Sequence, residues 1–225
     1  VAAKNAVIRH QRFQIRKQRL LGWQTLQNSF DDQRCSCQVA ELRGGLQAQQ
    51  LGAALAERGL NHIYSSDLAR AHHTALAIAS HSGIAPQAVA LHAGLRERAF
   101  GVFEGRTHAE IEAQWPQDAL RWRQRVPDWA PQGGESPLQL RQRVEQTVAH
   151  IAARHPGEHI ALVAHGGVLD MLYRLATGQE VNAVRTWELG NCAINRLLWT
   201  PEGLTLVGWA DTGHLQDAAR DETTA

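Results

Sequence analysis

Titratable side chains follow directly after short apolar runs at two places in this sequence. Arg9 and His10 come after the apolar run 6–8, and His165 comes after the apolar run 160–164. Each run is predicted to form a buried strand, and ligands of open parallel sheets bind just outside the carboxyl ends of the strands. The two histidines are therefore expected to lie at one edge of a sheet.

Arg70, Glu97 and Gly166 are expected at the same edge. Arg70 lies in the first turn of a helix predicted after the strand 62–65, and Glu97 follows a third short strand at 89–91. Gly166 opens the helix that follows the second histidine. The free backbone N–H groups at such a helix start can bind an anion.

This set of groups suits phosphoryl transfer without a metal. Negative charge spreads over the phosphoryl oxygens in the transition state, and the guanidinium groups of Arg9 and Arg70 can each donate to two of these oxygens. A protonated His165 would add a third cation. A neutral His10 could attack phosphorus and carry the phosphoryl group as phosphohistidine. Glu97 could protonate the departing alkoxide if burial near the bound anion keeps its carboxyl group protonated.

Each of these residues also has a structural alternative when it is considered alone. A histidine at a strand end, as at position 10, is more often structural than catalytic. Arg70 could be a solvated helix residue, and Glu97 could pair with Arg96 or Arg98. The tripeptide 165–167 could be only a turn that leads into a helix.

The elements that must position these residues alternate between strands and helices. Strands are predicted at 6–8, 62–65, 89–91, 160–164, 192–199 and 204–209, and helices at 39–57, 66–80, 136–154 and 166–176. Ser66 and Asp67 are expected to cap the second of these helices. The alternation predicts an α/β fold, a three-layer sandwich with a mostly parallel central sheet and helices on both faces.

We predict one domain over residues 1–210 and a flexible polar tail over residues 211–225. Residues 106–135 contain short helical pieces and are predicted to form a lid, in which the tryptophans pack, namely Trp115, Trp122 and Trp129. The tetrapeptide GGES follows at 133–136. Ser136 and Pro137 are expected to open the long helix, and Glu135 could line the pocket, or the tetrapeptide could be only a turn and a cap.

The composition narrows the class of partner. There are 23 Lys and Arg residues against 22 Asp and Glu, so the net charge gives no reason to expect nucleic acid or an anionic membrane as a partner. No apolar run is long enough to span a bilayer, and the low, odd count of three cysteines fits a reducing compartment. We therefore expect a cytoplasmic enzyme that acts on a small phosphorylated metabolite. Pairing of the late strands, 192–209, could make it a homodimer.

No metal or other cofactor is expected at the site. Cys35 and Cys37 could hold a metal, but no second cysteine pair lies near them. His72 and His73 are expected to lie on a solvated helix face.

Five motifs, taken together and in this order, resemble the histidine phosphatase superfamily in its phosphoglycerate-mutase-like branch. They are IRH at 8–10, YSSDLARAHHTALAIA at 64–79, LRERAFGVFEGRT at 95–107, GGES at 133–136 and LVAHGG at 162–167. The resemblance implies that His10 is the phosphoacceptor and that Glu97 is the proton donor. It also implies that Arg9, Arg70 and His165 are phosphate ligands.

The sequence departs from the family pattern directly after His10. The family continues His-Gly-x-Thr, whereas Gln11 and Phe13 occupy the glycine and threonine positions, and the pattern returns only after residue 44. A side chain at the glycine position can block the approach of backbone to phosphate. Three functions remain open: a phosphatase, which the compact lid favours, a phosphoglycerate mutase, or an impaired protein that binds phosphorylated ligands. A reading-frame disturbance between residues 11 and 44 would explain the departure.

Overall fold

The computed structural model describes the backbone of residues 4–8 and 37–215 and the side chains of residues 44–215. The strands are β1 (Lys4–Ile8), β2 (His62–Ser65), β3 (Ala90–Leu91), β4 (Ile160–Ala164), β5 (Ile194–Thr200) and β6 (Gly203–Asp211). The α-helices are α1 (Cys37–Leu55), α2 (Ala69–Ser82), α3 (His108–Gln114), α4 (Pro116–Arg123), α5 (Pro137–Ala153) and α6 (Gly166–Thr177). Gln11, Phe13 and the rest of 9–36 lie outside the described residues, as do 216–225.

The strands form one sheet in the order β3-β2-β4-β1-β5-β6. The pairs β2–β3, β2–β4 and β1–β5 are parallel, whereas β1–β4 and β5–β6 are antiparallel. Three of these five pairs are parallel, which confirms the predicted α/β class with a mostly parallel sheet.

Strand β4 explains why the protein has three layers. Its side chains alternate, so that Ile160 and Leu162 pack with residues of α5 and α6, whereas Ala161 and Val163 pack with residues of α1 and α2. All five residues of β4 are buried. A strand covered on both faces needs an unbroken apolar sequence, which is the signal that the run 160–164 gave.

The direction of β1 differs from the prediction. Lys4 lies opposite Ala164 and Ile8 lies opposite Ile160, so β1 and β4 run in opposite directions. We call the edge of the sheet at Ala164 the carboxyl edge and the edge at Ile160 the amino edge. The expectation that β1 and β4 end at the same edge is therefore wrong. Side chains alternate with a period of two in either direction, so the short run did not encode its orientation.

The segment 106–135 packs around a small apolar cluster of its own. Helices α3 and α4 enclose buried Phe103, Ile111 and Ala119, and the three predicted tryptophans pack against that group. At the other end of the chain, β6 continues through Asp211, and a short 3-10 turn follows at Gly213–Leu215. Regular structure thus extends past the predicted start of the tail.

Candidate active site

His165 lies at the carboxyl edge, directly after β4, and it is the residue that precedes helix α6. Its side chain is 2% exposed, and Nε2 is hydrogen-bonded to Oγ of Ser66 at 2.9 Å. Ser66 directly follows β2, the parallel neighbour of β4. Its Oγ also accepts the N–H of Leu68 at 3.3 Å. The parallel pairing of β2 and β4 therefore brings together two residues that are 99 positions apart.

The environment of His165 keeps its imidazole neutral. Burial lowers its pKa to about 4, with further lowering by the positive charges of Arg70 and Arg143, against a smaller opposite effect of Asp67. His165 therefore carries no positive charge at neutral pH, so the condition under which it would add a third cation is not met. A neutral imidazole still offers one ring N–H to a phosphoryl oxygen.

Glu97 is held at the start of α6 by backbone donors. Its Oε1 accepts the N–H of Gly167 at 2.9 Å and the N–H of Arg98 at 2.9 Å. A Cβ atom on Gly167 would lie 2.3 Å from that oxygen, so this position needs a glycine for Glu97 to remain where it is. A carboxylate is stabilised at a helix N-terminus by the free N–H groups and the helix dipole. Sequence reasoning assigned the anion-binding role here to Gly166 and missed Gly167.

Arg70 lies in the first turn of α2, as predicted, and its side chain is exposed. Its positive charge acts on the imidazole of His165, whose pKa it helps to lower. Gly166 is the first residue of α6, next to His165. The described part of the chain therefore brings Arg70, Glu97, His165 and Gly166 to the carboxyl edge. Arg9 and His10 lie outside the described residues.

Ser66 and Asp67 do not cap α2, contrary to the prediction. The residue before this helix is Leu68, and no side chain caps it. Asp67 instead forms two hydrogen bonds with Arg96, from Nε to Oδ1 at 2.7 Å and from Nη2 to Oδ2. The hydrogen bonds from Arg96 lower the pKa of Asp67. This pair replaces the predicted alternative in which Arg96 pairs with Glu97.

An ion pair between Glu135 and Arg143 holds the segment that carries Glu97. Arg143, on α5, donates from Nε and Nη2 to the two carboxylate oxygens of Glu135 at 2.8 and 2.7 Å. It also donates to the carbonyl oxygens of Gly94 and Arg96, at 2.8 and 3.0 Å. Arg143 thereby fixes the segment that leads to Glu97. No sequence motif pointed to Arg143.

The GGES tetrapeptide also caps a helix, as expected. Ser136 accepts the N–H of Gln139 at 3.2 Å, and the Gln139 side chain accepts the N–H of Ser136 at 2.8 Å. Pro137 begins α5. Glu135 directly precedes this capping box, and its pair with Arg143 gives it a structural role there.

A second group of cations lies along α6. Arg174 is fully buried and donates from Nε to Oδ2 of Asp170 at 2.9 Å, while Oδ1 of Asp170 is buried without a hydrogen-bond partner among the described residues. Arg125, from the lid, has its pKa lowered mainly by burial, with an opposite effect of Asp170. The positive charges of Arg174 and Arg185 lower it further. Arg174 also donates to the carbonyl oxygens of Glu180 and Ala183, so its guanidinium is satisfied within the protein.

Among the described side chains, one group of His, Cys, Asp or Glu residues has metal-ligand spacing. It consists of His62, His155 and Glu158, at the amino edge rather than at the site. Cys35 lies outside the described residues, and the side chain of Cys37 does too. In the part of the chain that the structure describes, no helix is both long enough and apolar enough to cross a membrane.

Comparison with known proteins gives the family. Residues 41–212 match the sequence model described as the histidine phosphatase superfamily, branch 1. The chain belongs to the histidine phosphatase superfamily, as the motifs indicated. The match begins at residue 41, so Arg9 and His10 lie outside it.

The relatives include both mutases and phosphatases by name. A probable phosphoglycerate mutase GpmB of Erwinia tasmaniensis is 31% identical over 189 residues, covering 80% of this chain and 85% of the relative. A glucosyl-3-phosphoglycerate phosphatase of Mycobacterium tuberculosis is 36% identical over 143 residues, covering 60% and 62%. The chain is thus related to enzymes of phosphatase or mutase-type phosphoryl transfer.

Solved structures agree with the fold. The mycobacterial glucosyl-3-phosphoglycerate phosphatase in complex with VO3 matches with a TM-score of 0.62 at 31% identity, covering 75% of this chain and 85% of that one. The structure of Bacillus stearothermophilus YhfR matches with a TM-score of 0.71 at 24% identity, covering 94% and 98%. The latter supports the fold alone.

Proposed function

We propose that this chain hydrolyses a small phosphomonoester without a metal, through a phosphohistidine on His10. The observation that carries the proposal is the convergence of Arg70, His165 and Glu97 at the carboxyl edge, in a chain that belongs to the histidine phosphatase superfamily. The ligand class is a small phosphorylated metabolite.

The roles follow from the chemistry of each group. Arg70 donates to the phosphoryl oxygens, and the neutral imidazole of His165 donates one N–H. A ring nitrogen of His10 attacks phosphorus, and the alkoxide leaves with a proton from Glu97. This role requires the bound phosphoryl group to keep Glu97 protonated, against the preference of the helix start for its carboxylate. Water then attacks phosphorus while the Glu97 carboxylate takes up its proton, the N–P bond breaks, and inorganic phosphate leaves with His10 and Glu97 restored for another cycle.

The direction of β1 sets a condition on this mechanism. Ile8 lies beside Ile160, and the five residues of β4 separate the amino edge from the carboxyl edge by roughly 13 Å. Two further residues reach about 7 Å at most. Parallel pairing of β1 with β4, opposite to its direction in this structure, would bring the chain after Ile8 to the carboxyl edge and would therefore favour turnover through His10.

Trapping the phosphoenzyme tests the proposal directly. The full chain is mixed with p-nitrophenyl phosphate, quenched, and mapped by mass spectrometry under conditions that preserve acid-labile phosphohistidine. We expect phosphate on His10 and loss of turnover in His10→Ala. Phosphate on another residue, or unchanged turnover in His10→Ala, would contradict it.

The antiparallel pairing of β1 favours a second candidate function, the binding of a phosphorylated ligand without turnover. In that case the cations at the carboxyl edge still bind inorganic phosphate, but the wild-type chain does not turn over p-nitrophenyl phosphate. Restoration of turnover by Gln11→Gly would identify a degraded catalytic site.

Paired cysteines distinguish the two directions of β1. In a background in which Cys35 and Cys37 are replaced by serine, Lys4→Cys with Ala164→Cys forms a disulfide if the strands are antiparallel, whereas Ile8→Cys with Ala164→Cys forms one if they are parallel. Residues opposite each other in neighbouring strands lie within the range of a disulfide. A disulfide between positions 8 and 164 would support the phosphatase. A disulfide between positions 4 and 164 would support the protein that binds a phosphorylated ligand without turnover.

A mutase is the remaining alternative within phosphoryl transfer. Arg125, from the lid, could hold the carboxylate of a phosphoglycerate while the phosphoryl group moves between its hydroxyls. An assay with 3-phosphoglycerate separates the two reactions. A phosphatase releases inorganic phosphate, whereas a mutase forms 2-phosphoglycerate without net release.

A further inference from the structure

Three polar side chains meet at the amino edge of the sheet. His62 begins β2, and His155 and Glu158 lie in the turn between α5 and β4. Glu158 Oε2 lies 2.9 Å from Nε2 of His62 and 2.8 Å from Nδ1 of His155. The two imidazole rings lie 3.9 Å apart between centres.

This cluster is separate from the candidate active site. His62 pairs with Ile160 at the start of β4, whereas Ser66 and His165 follow the opposite ends of β2 and β4. The four residue steps from His62 to Ser66 correspond to roughly 13 Å along the strand. A ligand of the cluster would therefore leave the phosphate-binding groups uncovered.

We infer that His62, His155 and Glu158 form a binding site for a divalent first-row transition metal ion, with Zn²⁺ as the best match. The three ligand atoms all lie within 4.8 Å of one another, which lets one ion contact all three after small side-chain movements. Two imidazole nitrogens and one carboxylate oxygen are a ligand set that Zn²⁺ accepts, with a fourth position left for water.

Tyr64 is the second observation that supports a metal. Its hydroxyl group is hydrogen-bonded at 2.8 Å to Nε2 of His155, the ring nitrogen that does not face Glu158. Metal-bound histidines commonly use their second nitrogen in this way, which fixes the orientation of the ring and its tautomer. A tyrosine hydroxyl can donate or accept, so it satisfies Nε2 both before the ion binds and after the ring proton has moved to Nε2.

The site is open to an ion from solvent. The side chains of His62 and Glu158 are 40% and 39% exposed, while that of His155 is 13% exposed. Without metal, hydrogen bonds between the imidazoles and Glu158 hold the ligand atoms together. The ion would take the place of the protons in those two hydrogen bonds and would join the start of β2 to the turn before β4.

Calorimetric titration with ZnCl₂ tests the inference on the full chain after removal of metals with EDTA. We expect one Zn²⁺ to bind and that binding to be lost in His62→Gln and in Glu158→Gln. Gln at position 158 retains an acceptor oxygen for the histidines but loses the charge of the carboxylate. His73→Gln is the matched control, because it removes an exposed histidine of α2 and should leave the affinity unchanged.

Tyr64→Phe tests the orienting role of Tyr64 and retains the aromatic ring. We expect it to weaken Zn²⁺ binding by roughly 10- to 100-fold, because the tautomer of His155 is no longer fixed. The absence of Zn²⁺ binding by the wild-type chain would overturn the inference. Equal affinity in wild type, His62→Gln and Glu158→Gln would also overturn it, since the ion would then bind elsewhere.

Discussion

The two edges of the central sheet are built in different ways from the same pair of strands. At the carboxyl edge, His165 is buried, and Glu97 is fixed by two backbone N–H groups. At the amino edge, His62 and Glu158 are about two-fifths exposed, and an ion pair between their side chains joins them. The carboxyl edge is organised for a ligand before that ligand arrives, whereas the amino edge can rearrange around one.

Burial explains the charge state of His165 at the carboxyl edge. At the carboxyl edge burial favours the neutral form of His165, and neighbouring arginines add to that effect, so positive charge for an anion there comes from Arg70 rather than from the imidazole. Phosphate binding then depends on arginine, which stays charged in proteins, and not on the titration of a histidine near neutral pH.

Replacement of Glu97 should produce the largest effect. Gln at this position can still accept the N–H of Gly167, but it has no proton to give to a leaving alkoxide. We expect Glu97→Gln to lower kcat for an alkyl phosphate about 10²- to 10⁴-fold, the usual range for general acid catalysis. The measurement is steady-state release of phosphate.

The leaving group provides the control for Glu97→Gln. p-Nitrophenolate leaves without protonation, so the variant should lose much less activity on p-nitrophenyl phosphate than on an alkyl phosphate. An equal loss on both substrates would mean that Glu97 only maintains the structure of the carboxyl edge.

The burial of His165 should be visible in the pH dependence of stability. The pKa of His165 is about 4 in the folded protein against an ordinary value of 6.5, so the unfolded chain binds more protons between these pH values. Stability therefore decreases as the pH falls through this window, by up to about 3 kcal/mol at pH 4. Urea unfolding at pH 7 and pH 4 measures the change.

His165→Gln should reduce that pH dependence, because it removes the group that titrates. If this variant does not fold, NMR titration of the His165 ring in the wild-type chain gives the pKa directly. A titration midpoint near pH 6.5 would contradict the conclusion that burial keeps His165 neutral at the carboxyl edge.

The sequence predicted those strands and helices whose burial or capping requires a recognisable run of residues. The apolar run 160–164 indicated a strand buried on both faces, and Ser136 with Pro137 indicated the start of α5, which the structure confirms. The direction of β1 left no such pattern, because the run 6–8 can pair with β4 in either direction with the same side chains facing each layer.

The sequence indicated the position of a candidate site residue where that residue follows a predicted strand. It did not indicate contacts between residues that only the fold brings together. Residue type and order predicted that Arg70, Glu97 and His165 lie at one edge of the sheet, and the structure places them there. Ser66 was assigned to a helix cap because its partner, His165, is 99 residues away. The contact between Arg143 and Glu135 depends on how the turn before α5 folds back, which no spacing in the sequence indicates.

Gly167→Ala should have an intermediate effect, because it disturbs the carboxyl edge indirectly. The new methyl group would occupy the place of Glu97 Oε1, and the flexible side chain of Glu97 would move away. We expect kcat for an alkyl phosphate to fall about 10-fold, corresponding to about 1.4 kcal/mol. Gly45→Ala is the matched control, since a Cβ atom there meets nothing within 4 Å, and activity should not change.

Loss of the ion pair between Asp67 and Arg96 should have the smallest effect on stability, although the paired atoms lie very close together. Arg96 is 55% exposed, and exposed ion pairs contribute little to stability because water and salt screen them. We expect Arg96→Gln to raise the pKa of Asp67 towards its ordinary value of 3.8 and to leave the urea midpoint unchanged. A lower midpoint would show that this exposed contact, like the backbone contacts of Glu97, helps to hold the carboxyl edge in place.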